Sequence, residues 1–490
     1  MLTRLRGLVA TPRLVRSLAI LPQSPRFNEH DRRREGELRK VYEQSARAIR
    51  RAELDRLTSP QYKASEEQYG VLEKFESRRE LNSPKDVAGA FYTFGRMARV
   101  PPGSHLTMPP QEQLRMDMLQ EDVISSLPFL DSRRLCNVML SAAYQQNRDP
   151  QLLAPLCVHT LEKAHQLNLR DVTTLVYSLG RLEHREEGDA LLRALLGRAQ
   201  TEMHRLHAVE MVLLASGLAA LRLKPRDLLQ PLGRAAVEKL ETFGAVELST
   251  LLGSLTTLHH HDLSLLRASA ARLPEVVSDM NPRALCEMAA AFAAADKRVW
   301  IPSALDVLAE ESVAKARLFS QPQAAACLAA FGVMRWEHAG LVAALGSRLA
   351  DFGPRLLLGE LGLGLEGISR LPAGSEPETL RRLLDAAERL SLPPLHRAGD
   401  AERRDAATLC SALRHLAAPP PAPLLRWLEM HAAESAEEAA LAIATARERS
   451  GAEPVDDHAR SVVRFRRRNA AKLNDALRFW RGEDSGDKLA

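Results

Sequence analysis

The chain has 490 residues and a formal net charge of +5; 45% of its side chains are apolar but only 4% are aromatic. It contains no run of about 18 apolar residues, so no membrane-spanning helix is expected. Its five cysteines form no Cys-x-x-Cys pair, and four of them fall on predicted helices, so we expect buried thiols rather than disulfides or metal ligands. The composition indicates a large helical core rich in Leu and Ala.

Residues 1–28 contain five arginines and no acidic side chain before Glu29. An Arg-rich, acid-free and amphipathic N-terminus is typical of a mitochondrial presequence. We therefore expect import into the mitochondrial matrix. A plastid address and an ordinary basic tail are the alternatives.

Residues 29–82 are predicted to form a charged helical arm. The cluster Arg32, Arg33 and Arg34 lies among several glutamates, beginning with Glu35. The three arginines are candidate contacts for a nucleic acid or protein partner. A solvated helix with ion pairs between residues four apart explains the pattern equally well.

Residues 83–435 repeat one helical pattern at a period near 37 residues. In the copy that starts at Glu247, the apolar residues Leu248, Leu251 and Leu255 form the stripe that an amphipathic helix buries. Nine copies follow the anchors Asp86, Arg134, Asp171, Glu210, Glu247, Ala284, Gln323, Glu360 and Asp405. A second helix follows in each unit. Such pairs bury their apolar faces only by stacking, which predicts an all-α fold, an α-solenoid of about nine helix-pair repeats.

Two further features support the repeat. The seventh residue after every anchor is small: Thr93, Ser141, Ser178, Gly217, Ser254, Ala291, Ala330, Gly367 and Ala412. A small residue at a fixed phase lets a neighbouring helix approach closely. Helix N-cap residue types stand three before the anchor in five copies, at Ser83, Asp131, Asn168, Asn281 and Ser320. The first helices should therefore begin near residues 84, 132, 169, 208, 245, 282, 321, 358 and 403, and no β-sheet is expected between residues 83 and 435.

Residues 436–490 are predicted to form a basic helical tail. Its arginines are interleaved with aromatic residues, a combination suited to phosphate contact and base stacking or, equally, to docking on an acidic protein. The candidate binding residues are Arg460, Arg464, Phe465, Arg466, Arg467, Arg468, Lys472, Arg478 and Trp480.

The net charge is divided unevenly along the chain. Residues 1–57 have a net charge of +7 and residues 458–490 of +5, which leaves −7 for residues 58–457 out of the total of +5. Phosphate neutralisation supplies most of the affinity for RNA, so a solenoid that binds RNA along its whole length is expected to be basic. The charges therefore favour nucleic-acid contacts at the two ends and protein partners along the body.

No motif in the chain indicates catalysis, a cofactor or a metal. The spacing of Gly362, Gly364 and Gly367 matches the dinucleotide-binding fingerprint, but it falls inside a predicted helix with no strand before it. The run His259, His260 and His261 is predicted to be a solvated loop, because three adjacent histidines rarely converge on one metal. We expect a protein that is not an enzyme and that has no bound cofactor.

The repeat resembles a known family. The segments Asp171-Val-Thr-Thr-Leu-Val-Tyr-Ser-Leu, Glu210-Met-Val-Leu-Leu-Ala-Ser-Gly-Leu and Glu247-Leu-Ser-Thr-Leu-Leu-Gly-Ser-Leu are similar to heptatricopeptide repeats and to octotricopeptide and FAST-kinase-like arrays. The resemblance implies an organellar RNA-associated protein, and some members are expected in mitochondrial ribosomes. Many such arrays end in a RAP domain, whereas this chain ends in the basic tail.

These observations favour a structural component of the mitochondrial ribosome, with protein neighbours along the body and rRNA at the basic ends. One alternative is a mitochondrial RNA maturation or stability factor that binds single-stranded RNA. The other is an RNA-free scaffold subunit of ATP synthase or a respiratory complex.

Overall fold

A computed structural model describes residues 61–101, 104–184, 189–295, 301–338, 340–371, 377–388, 400–416, 422, 425–427, 429–430, 471 and 476–477. The described chain is helical apart from two short strands and the connecting loops. None of its helices is both long and apolar enough to span a lipid bilayer. The all-α, solenoid-like prediction is therefore confirmed.

One compact unit consists of residues 1–130 and 141–157. Its described part begins with strand β1 (Gln61–Lys63), helix α1 (Glu66–Glu76), helix α2 (Pro84–Ala98), strand β2 (His105–Thr107) and helix α3 (Pro110–Ser126). Helix α1 packs against α2 and α3 and buries Leu72 and Phe75. Helices α4 (Ser132–Gln145) and α5 (Pro150–Glu162) contribute residues to both units.

The other unit consists of residues 131–140 and 158–490. Its remaining described helices are α6 (Leu169–Arg181), α7 (Asp189–Thr201), α8 (Ala208–Ala220), α9 (Arg226–Glu238), α10 (Ala245–Thr257), α11 (Leu263–Val276), α12 (Pro282–Ala294), α13 (Pro302–Ala314), α14 (Gln321–Met334), α15 (Leu341–Ala350), α16 (Leu358–Arg370), α17 (Pro377–Glu388) and α18 (Asp400–His415). Even-numbered helices are the first helices of the repeats and odd-numbered helices are the second. Within this unit each first helix packs on the next first helix and each second helix on the next second helix, which gives two layers.

The helix starts agree with the sequence periodicity. Numbering the repeats from α2 in repeat one to α18 in repeat nine, the first helices of repeats one to eight begin at the predicted residues. Helix α18 begins at Asp400, three residues before its prediction. Local capping explains this accuracy. The side chains of Asp131, Asn168 and Asn281 accept hydrogen bonds from the backbone N–H three residues ahead, at 2.8, 2.8 and 2.9 Å.

Two capping interactions differ in kind. Ser83 and Asp86 form a reciprocal capping box, and hydrogen bonds from Ser83 hold the pKa of the Asp86 carboxyl below its ordinary value. Asp171 stands at the same position of repeat three but does not bond back to its cap. Its carboxylate pairs instead with Arg133 of the preceding repeat. The aspartate at this position therefore caps the first helix in repeat one, whereas in repeat three it links two neighbouring repeats.

The small residues are the points of closest approach between first helices. Gly217 is buried, and a Cβ atom added there would lie 2.5 Å from the carbonyl oxygen of Val176 on the preceding first helix. Ser141 uses the same gap to donate a 2.5 Å hydrogen bond to the carbonyl oxygen of Phe91. Thr93 is exposed, so the first copy departs from the rule. The other eight are buried.

A second position for a small residue faces the first, and it was not predicted from the sequence. It lies nine residues after the anchor. A Cβ on Gly180 would come within 2.5 Å of the Gly217 carbonyl oxygen, and Gly332 meets Gly367 in the same way. The interface therefore needs a small residue on both helices, because backbone rather than side chains fills it.

A single turn of 3₁₀ helix follows the second helices. In the described chain these turns are Arg79–Leu81, Leu127–Phe129, Ala164–Gln166, Met203–Arg205, Leu240–Thr242, Val277–Asp279, Ala316–Leu318 and Gly353–Arg355. From repeat one onward, a buried apolar residue comes next, as with Leu206 and Phe243. It precedes the cap of the following first helix, and the fourth residue of that helix, such as Met211 or Leu248, is buried too. This is the arrangement of a hydrophobic staple, which fixes the angle at which the chain enters a helix.

The structure departs from the sequence prediction near the start of the array. Strand β2 lies in the long connection between α2 and α3 and pairs in parallel with β1, Gln61 opposite His105 and Lys63 opposite Thr107. The expectation of no β-sheet after residue 83 was therefore wrong at this point. The prolines around β2 prevent a helix, so strand pairing satisfies its backbone groups. Packed helices also begin before residue 83, because α1 and its 3₁₀ turn repeat the second half of a unit.

We predict that Ala291→Leu destabilises the array while Ala290→Leu does not. The two neighbours share one helix and one substitution, but Ala291 is fully buried and Ala290 is exposed. Overpacking typically costs about 1–3 kcal/mol, and an exposed change stays within about 0.5 kcal/mol. Thermal unfolding of the two variants is the measurement, and equal melting temperatures would contradict the packing argument.

We predict that Gly180→Ala also destabilises the fold, by roughly 1–3 kcal/mol, because its Cβ would press on backbone. The matched control is Gly197→Ala in α7, where the added Cβ meets nothing within 4 Å. Alanine has the higher helix propensity, so the control should gain up to about 1 kcal/mol. Denaturant unfolding measures both changes, and changes of the same sign would refute the close approach.

Candidate interaction surfaces

The predicted binding residues of both ends lie outside the described part of the chain. These are Arg32, Arg33 and Arg34 of the arm and Arg460, Arg464, Phe465, Arg466, Arg467, Arg468, Lys472, Arg478 and Trp480 of the tail. Within the tail, Ala476 and Leu477 are described, and both are helical and buried. Other residues of the protein therefore cover these two side chains.

The solvent-facing stripe of first helices α8, α10, α12 and α14, called here the first-helix face, is almost uncharged. Its exposed and half-buried positions are Val209, Leu213, Ala220, Val246, Thr250, Thr257, Arg283, Glu287, Ala290, Ala294, Pro322, Ala326, Ala329 and Val333. Its two charged members pair with each other, Arg283 Nε to Glu287 Oε1 at 2.8 Å. This face offers phosphate no free cation, so it suits protein contact better than RNA.

The edge that contains the 3₁₀ turns is called here the carbonyl edge. Basic side chains donate hydrogen bonds to its backbone carbonyl oxygens. Lys239 at the end of α9 donates hydrogen bonds from Nζ to the carbonyl oxygens of His204 and Leu206 in the preceding repeat, at 2.6 and 2.7 Å. Lys315 does the same two repeats later, to the carbonyl oxygens of Ser278 and Met280. The C-terminal end of a helix has an excess of negative partial charge, and a lysine ammonium complements it.

Arginines perform this role in the intervening repeats. Arg198 donates to the Ala164 carbonyl oxygen and Arg348 to that of Phe319, each at 3.0 Å. Arg272 donates to two carbonyl oxygens of the turn before it, those of Leu240 and Glu241. Repeats three to seven thus each hold the preceding turn with one cation. The sequence interpretation assigned these basic residues no such role, because the anchor-to-cation spacing varies from repeat to repeat.

The opposite edge, called here the loop edge, is built from the turns between first and second helices. Glu183, Arg222, His259 and Arg335 there adopt left-handed backbone, with φ between 52° and 54°. The next amide then donates back to the helix, as His260 N does to the Leu255 carbonyl oxygen at 2.9 Å. Glycine is the usual residue in this position, and a residue with a Cβ costs about 1–2 kcal/mol more.

Four cations of the loop edge have no side-chain partner among the described residues. Arg222, Lys224, Arg226 and Arg335 are exposed, and none of their side chains makes a hydrogen bond or ion pair with another described residue. After α8 and α10, backbone amides satisfy the last helix carbonyls, as Leu223 N does for Leu218 and His260 N for Leu255. Exposed cations without a described side-chain partner occur on the carbonyl edge too, at Arg317 and Arg355 within the 3₁₀ turns.

Part of the histidine run lines a cleft between α9 and the start of α11. Arg226 and Arg234 lie on one wall and His260 and His261 on the other. His259 and His261 are exposed, as predicted for a solvated loop, whereas the Nε2 atom of His260 is buried with no partner among the described residues. Partial burial, and then the neighbouring imidazoles, lower the pKa of His261. Asp262 caps α11 through the backbone N–H of Ser264 at 2.9 Å, and its carboxylate leaves the cleft mixed in charge.

Neither the cysteines nor the glycine motif forms a reactive site. The five cysteines are free, and four of them are buried. Burial raises the pKa of Cys136 and Cys410, and contact with Cys327 followed by burial raises that of Cys286, so these thiols are not activated as nucleophiles. Gly362, Gly364 and Gly367 are buried within α16, where they allow neighbouring helices to approach.

Among the described residues, no group of three or more His, Cys, Asp or Glu side chains is placed to hold a metal ion. The chain matches no protein-family model and no curated protein. The surfaces described above are therefore interpreted from their own chemistry.

We predict that Lys239→Met weakens the fold by roughly 1–2 kcal/mol, because two charge-assisted hydrogen bonds to carbonyl groups are lost. Lys224→Met in the same repeat is the matched control. Lys224 is exposed and has no described partner, so its loss should change stability by less than about 0.5 kcal/mol. Chemical denaturation distinguishes them, and a control that loses as much as Lys239→Met would argue against a structural role for the cation.

Proposed function

We propose that the chain is a non-catalytic mitochondrial helical-repeat protein that acts as a structural, RNA-associated component of the mitochondrial ribosome. In this proposal the body of the array holds protein neighbours in the matrix. The basic ends, Arg32 to Arg34 and the tail from Arg460 to Trp480, contact rRNA.

The observation that supports the proposal is the placement of cations in the body. Residues 58–457 have a net charge of −7, as follows from the total of +5 and the two basic ends. The first-helix face offers no unpaired cation at its described positions, and in repeats three to seven one cation per repeat is bound to backbone oxygens of the carbonyl edge. A continuous phosphate-binding groove along the array is therefore not favoured, whereas uncharged helix surface is common at protein interfaces.

Two alternative functions can be distinguished from the ribosomal role by experiment. An RNA maturation or stability factor would bind single-stranded transcripts in small particles. A scaffold of ATP synthase or a respiratory complex would need no RNA, and the uncharged first-helix face fits it as well as it fits the ribosomal role.

Sedimentation of the native protein from mitochondrial lysate, with and without ribonuclease, distinguishes these functions. Co-migration with ribosomal particles that ribonuclease disrupts is the expected result. Migration in a small ribonuclease-sensitive particle would support the RNA-factor alternative. A large membrane-associated complex that ribonuclease leaves intact would overturn the ribosomal proposal in favour of the RNA-free scaffold.

We predict that changing Arg466, Arg467 and Arg468 together to Glu weakens ribosome association. Each arginine that neutralises a phosphate adds about one to the slope of log affinity against log salt, so the variant should show both weaker binding and a shallower slope. Substitution is preferable to deletion of residues 458–490, because Ala476 and Leu477 are buried. Phe465→Ala should weaken binding only if a base stacks on the ring.

The matched control reverses the same amount of charge on the folded array. Arg170, Arg317 and Arg355 are exposed and lack described side-chain partners. Changing these three to Glu should leave ribosome association and its salt dependence close to those of the wild type. If the tail variant associates normally with an unchanged slope, the tail is not the rRNA contact.

A further inference from the structure

We propose that a patch on the carbonyl edge, at the junctions of repeats six to eight, is a docking site for a short protein segment that combines apolar side chains with carboxylates. The patch consists of Arg317, Leu318, Arg355 and Leu357, which are all exposed and lie on the two turns that lead into α14 and α16. The proposal goes beyond the proposed function, because it concerns a partner that the array holds rather than the attachment of the chain to the ribosome.

Hydrogen bonds between neighbouring repeats place these two turns next to each other. The Nε2 atom of Gln321, at the start of α14, donates a 3.3 Å hydrogen bond to the carbonyl oxygen of Arg355. Arg348 of α15 donates to the carbonyl oxygen of Phe319 at 3.0 Å. The four residues of the patch therefore lie along one stretch of the carbonyl edge.

The two leucines distinguish this stretch from the rest of the edge. Leu318 is 68% exposed and Leu357 is 64% exposed, the two highest values among the large apolar side chains described in the unit that contains residues 158–490. Single exposed leucines are common on protein surfaces. Two of them on neighbouring turns, beside two arginines, form a small amphipathic patch of the kind that marks an interaction site.

Leu357 stands at a position where the helix favours a different residue. It is the N-cap of α16, and leucine is among the least favourable residues there because its side chain has no hydrogen-bond acceptor. Repeats three and six have an asparagine at this position, and the side chains of Asn168 and Asn281 cap their helices. A residue that breaks a local rule while its side chain stays in solvent points to a role at the surface.

The two arginines of the patch have no compensating charge. Neither side chain has a partner among the described residues. Two carboxylates on the neighbouring helix ends are already paired. Glu311 pairs with Lys315 at 2.6 Å. Asp351 pairs with Arg382, also at 2.6 Å. An acidic partner therefore finds a charge at this patch that is complementary to its own.

The charge of the body favours a protein segment over an anionic lipid surface, which the same side chains would also attract. Residues 58–457 have a net charge of −7, as follows from the total of +5 and the two basic ends. A bilayer extends beyond the patch and would face this acidic body. A short segment senses mainly the charges within a Debye length, about 8 Å at physiological salt, so it meets the arginines without the rest of the body.

The test uses the full chain and three labelled peptides of equal length. The first contains a Leu-Phe pair flanked on both sides by aspartates and glutamates. The second has serines in place of the Leu-Phe pair, and the third has amides in place of the carboxylates. Fluorescence anisotropy should show binding of the first peptide and binding about tenfold weaker for each of the others. No binding of the first peptide, or equal binding of the second or third, would overturn the proposal.

Changing the leucines tests the apolar part of the patch. The variant Leu318→Ser with Leu357→Ser should bind the first peptide about tenfold more weakly, because the apolar area that the segment covers is lost. The matched control is Val209→Ser with Val246→Ser, which removes two exposed apolar side chains from the first-helix face. An equal loss in the control would show that apolar exposure in general, rather than this patch, governs binding.

Changing the arginines tests the charged part. The variant Arg317→Glu with Arg355→Glu should also bind about tenfold more weakly, as expected for two exposed ion pairs replaced by repulsion. The matched control is Arg222→Glu with Arg226→Glu, which changes the net charge equally at exposed cations of the loop edge. If the control loses as much affinity, the binding depends on net charge and the patch has no special role.

The single change Leu357→Ser separates binding from folding. Serine is a favourable N-cap, so the melting temperature should be held or raised while affinity for the first peptide falls. A lower melting temperature would show that the leucine serves the fold, contrary to the proposal. Vesicles of phosphatidylcholine and phosphatidylserine are the lipid arm. Vesicle binding that the two leucine-to-serine changes abolish would assign the patch to a lipid surface instead.

Ribosome sedimentation keeps this proposal distinct from the proposed function. The variants of the patch should co-migrate with ribosomal particles as the wild type does, because rRNA contact is assigned to the tail. Peptide binding that survives in the patch variants would overturn the docking site alone. Normal ribosome association of the tail variant would count against the rRNA contact and leave the docking site untouched.

Discussion

The close contact between successive first helices is the constraint on which the array depends. At Gly180 against Gly217, and at Gly332 against Gly367, backbone lies against backbone with no room for a Cβ atom. Two helices that approach so closely can slide past each other only if a larger residue enters the contact between their backbones. The small residues therefore fix the register of each repeat on the next, and the rest of the repeat is built around a spacing that they set.

A contact made of small residues buries little side chain, so other interactions must hold the repeats together. The two apolar layers supply most of the burial, and the staples at Leu206 and Met211 or Phe243 and Leu248 fix where each first helix begins. In repeats three to seven, one cation adds a polar link from the second helix to the turn before it. Lys239, for example, joins repeat four to repeat three through two carbonyl oxygens.

The sequence predicted the features that depend on local chemistry. Apolar stripes and cap residues specify helix starts within a few neighbouring residues, so first helices such as α8 and α10 begin where expected. What it did not predict depends on contacts distant in sequence. Lys239 and Lys224 are both lysines of repeat four, and only the fold distinguishes the one bonded to carbonyl oxygens from the one left free. Likewise, the pairing of Gln61 with His105 joins segments more than forty residues apart. The predicted residues of both ends lie outside the described chain, so their roles stay predictions.

The chemical difference between the two edges follows from how each kind of helix ends. Second helices end in 3₁₀ turns whose carbonyls bond side-chain cations of the next repeat, as the His204 carbonyl bonds Lys239. First helices such as α8 and α10 end in left-handed turns whose own amides satisfy the carbonyls, as Leu223 N does for Leu218, whereas α12 and α16 end in extended backbone. Because the repeats of the unit that contains residues 158–490 have the same order, their turns of one kind lie on one edge. A cation at the end of a second helix, such as Lys239, therefore serves the fold, whereas the side chains of Arg222 on the loop edge and Arg317 in a 3₁₀ turn have no partner among the described residues.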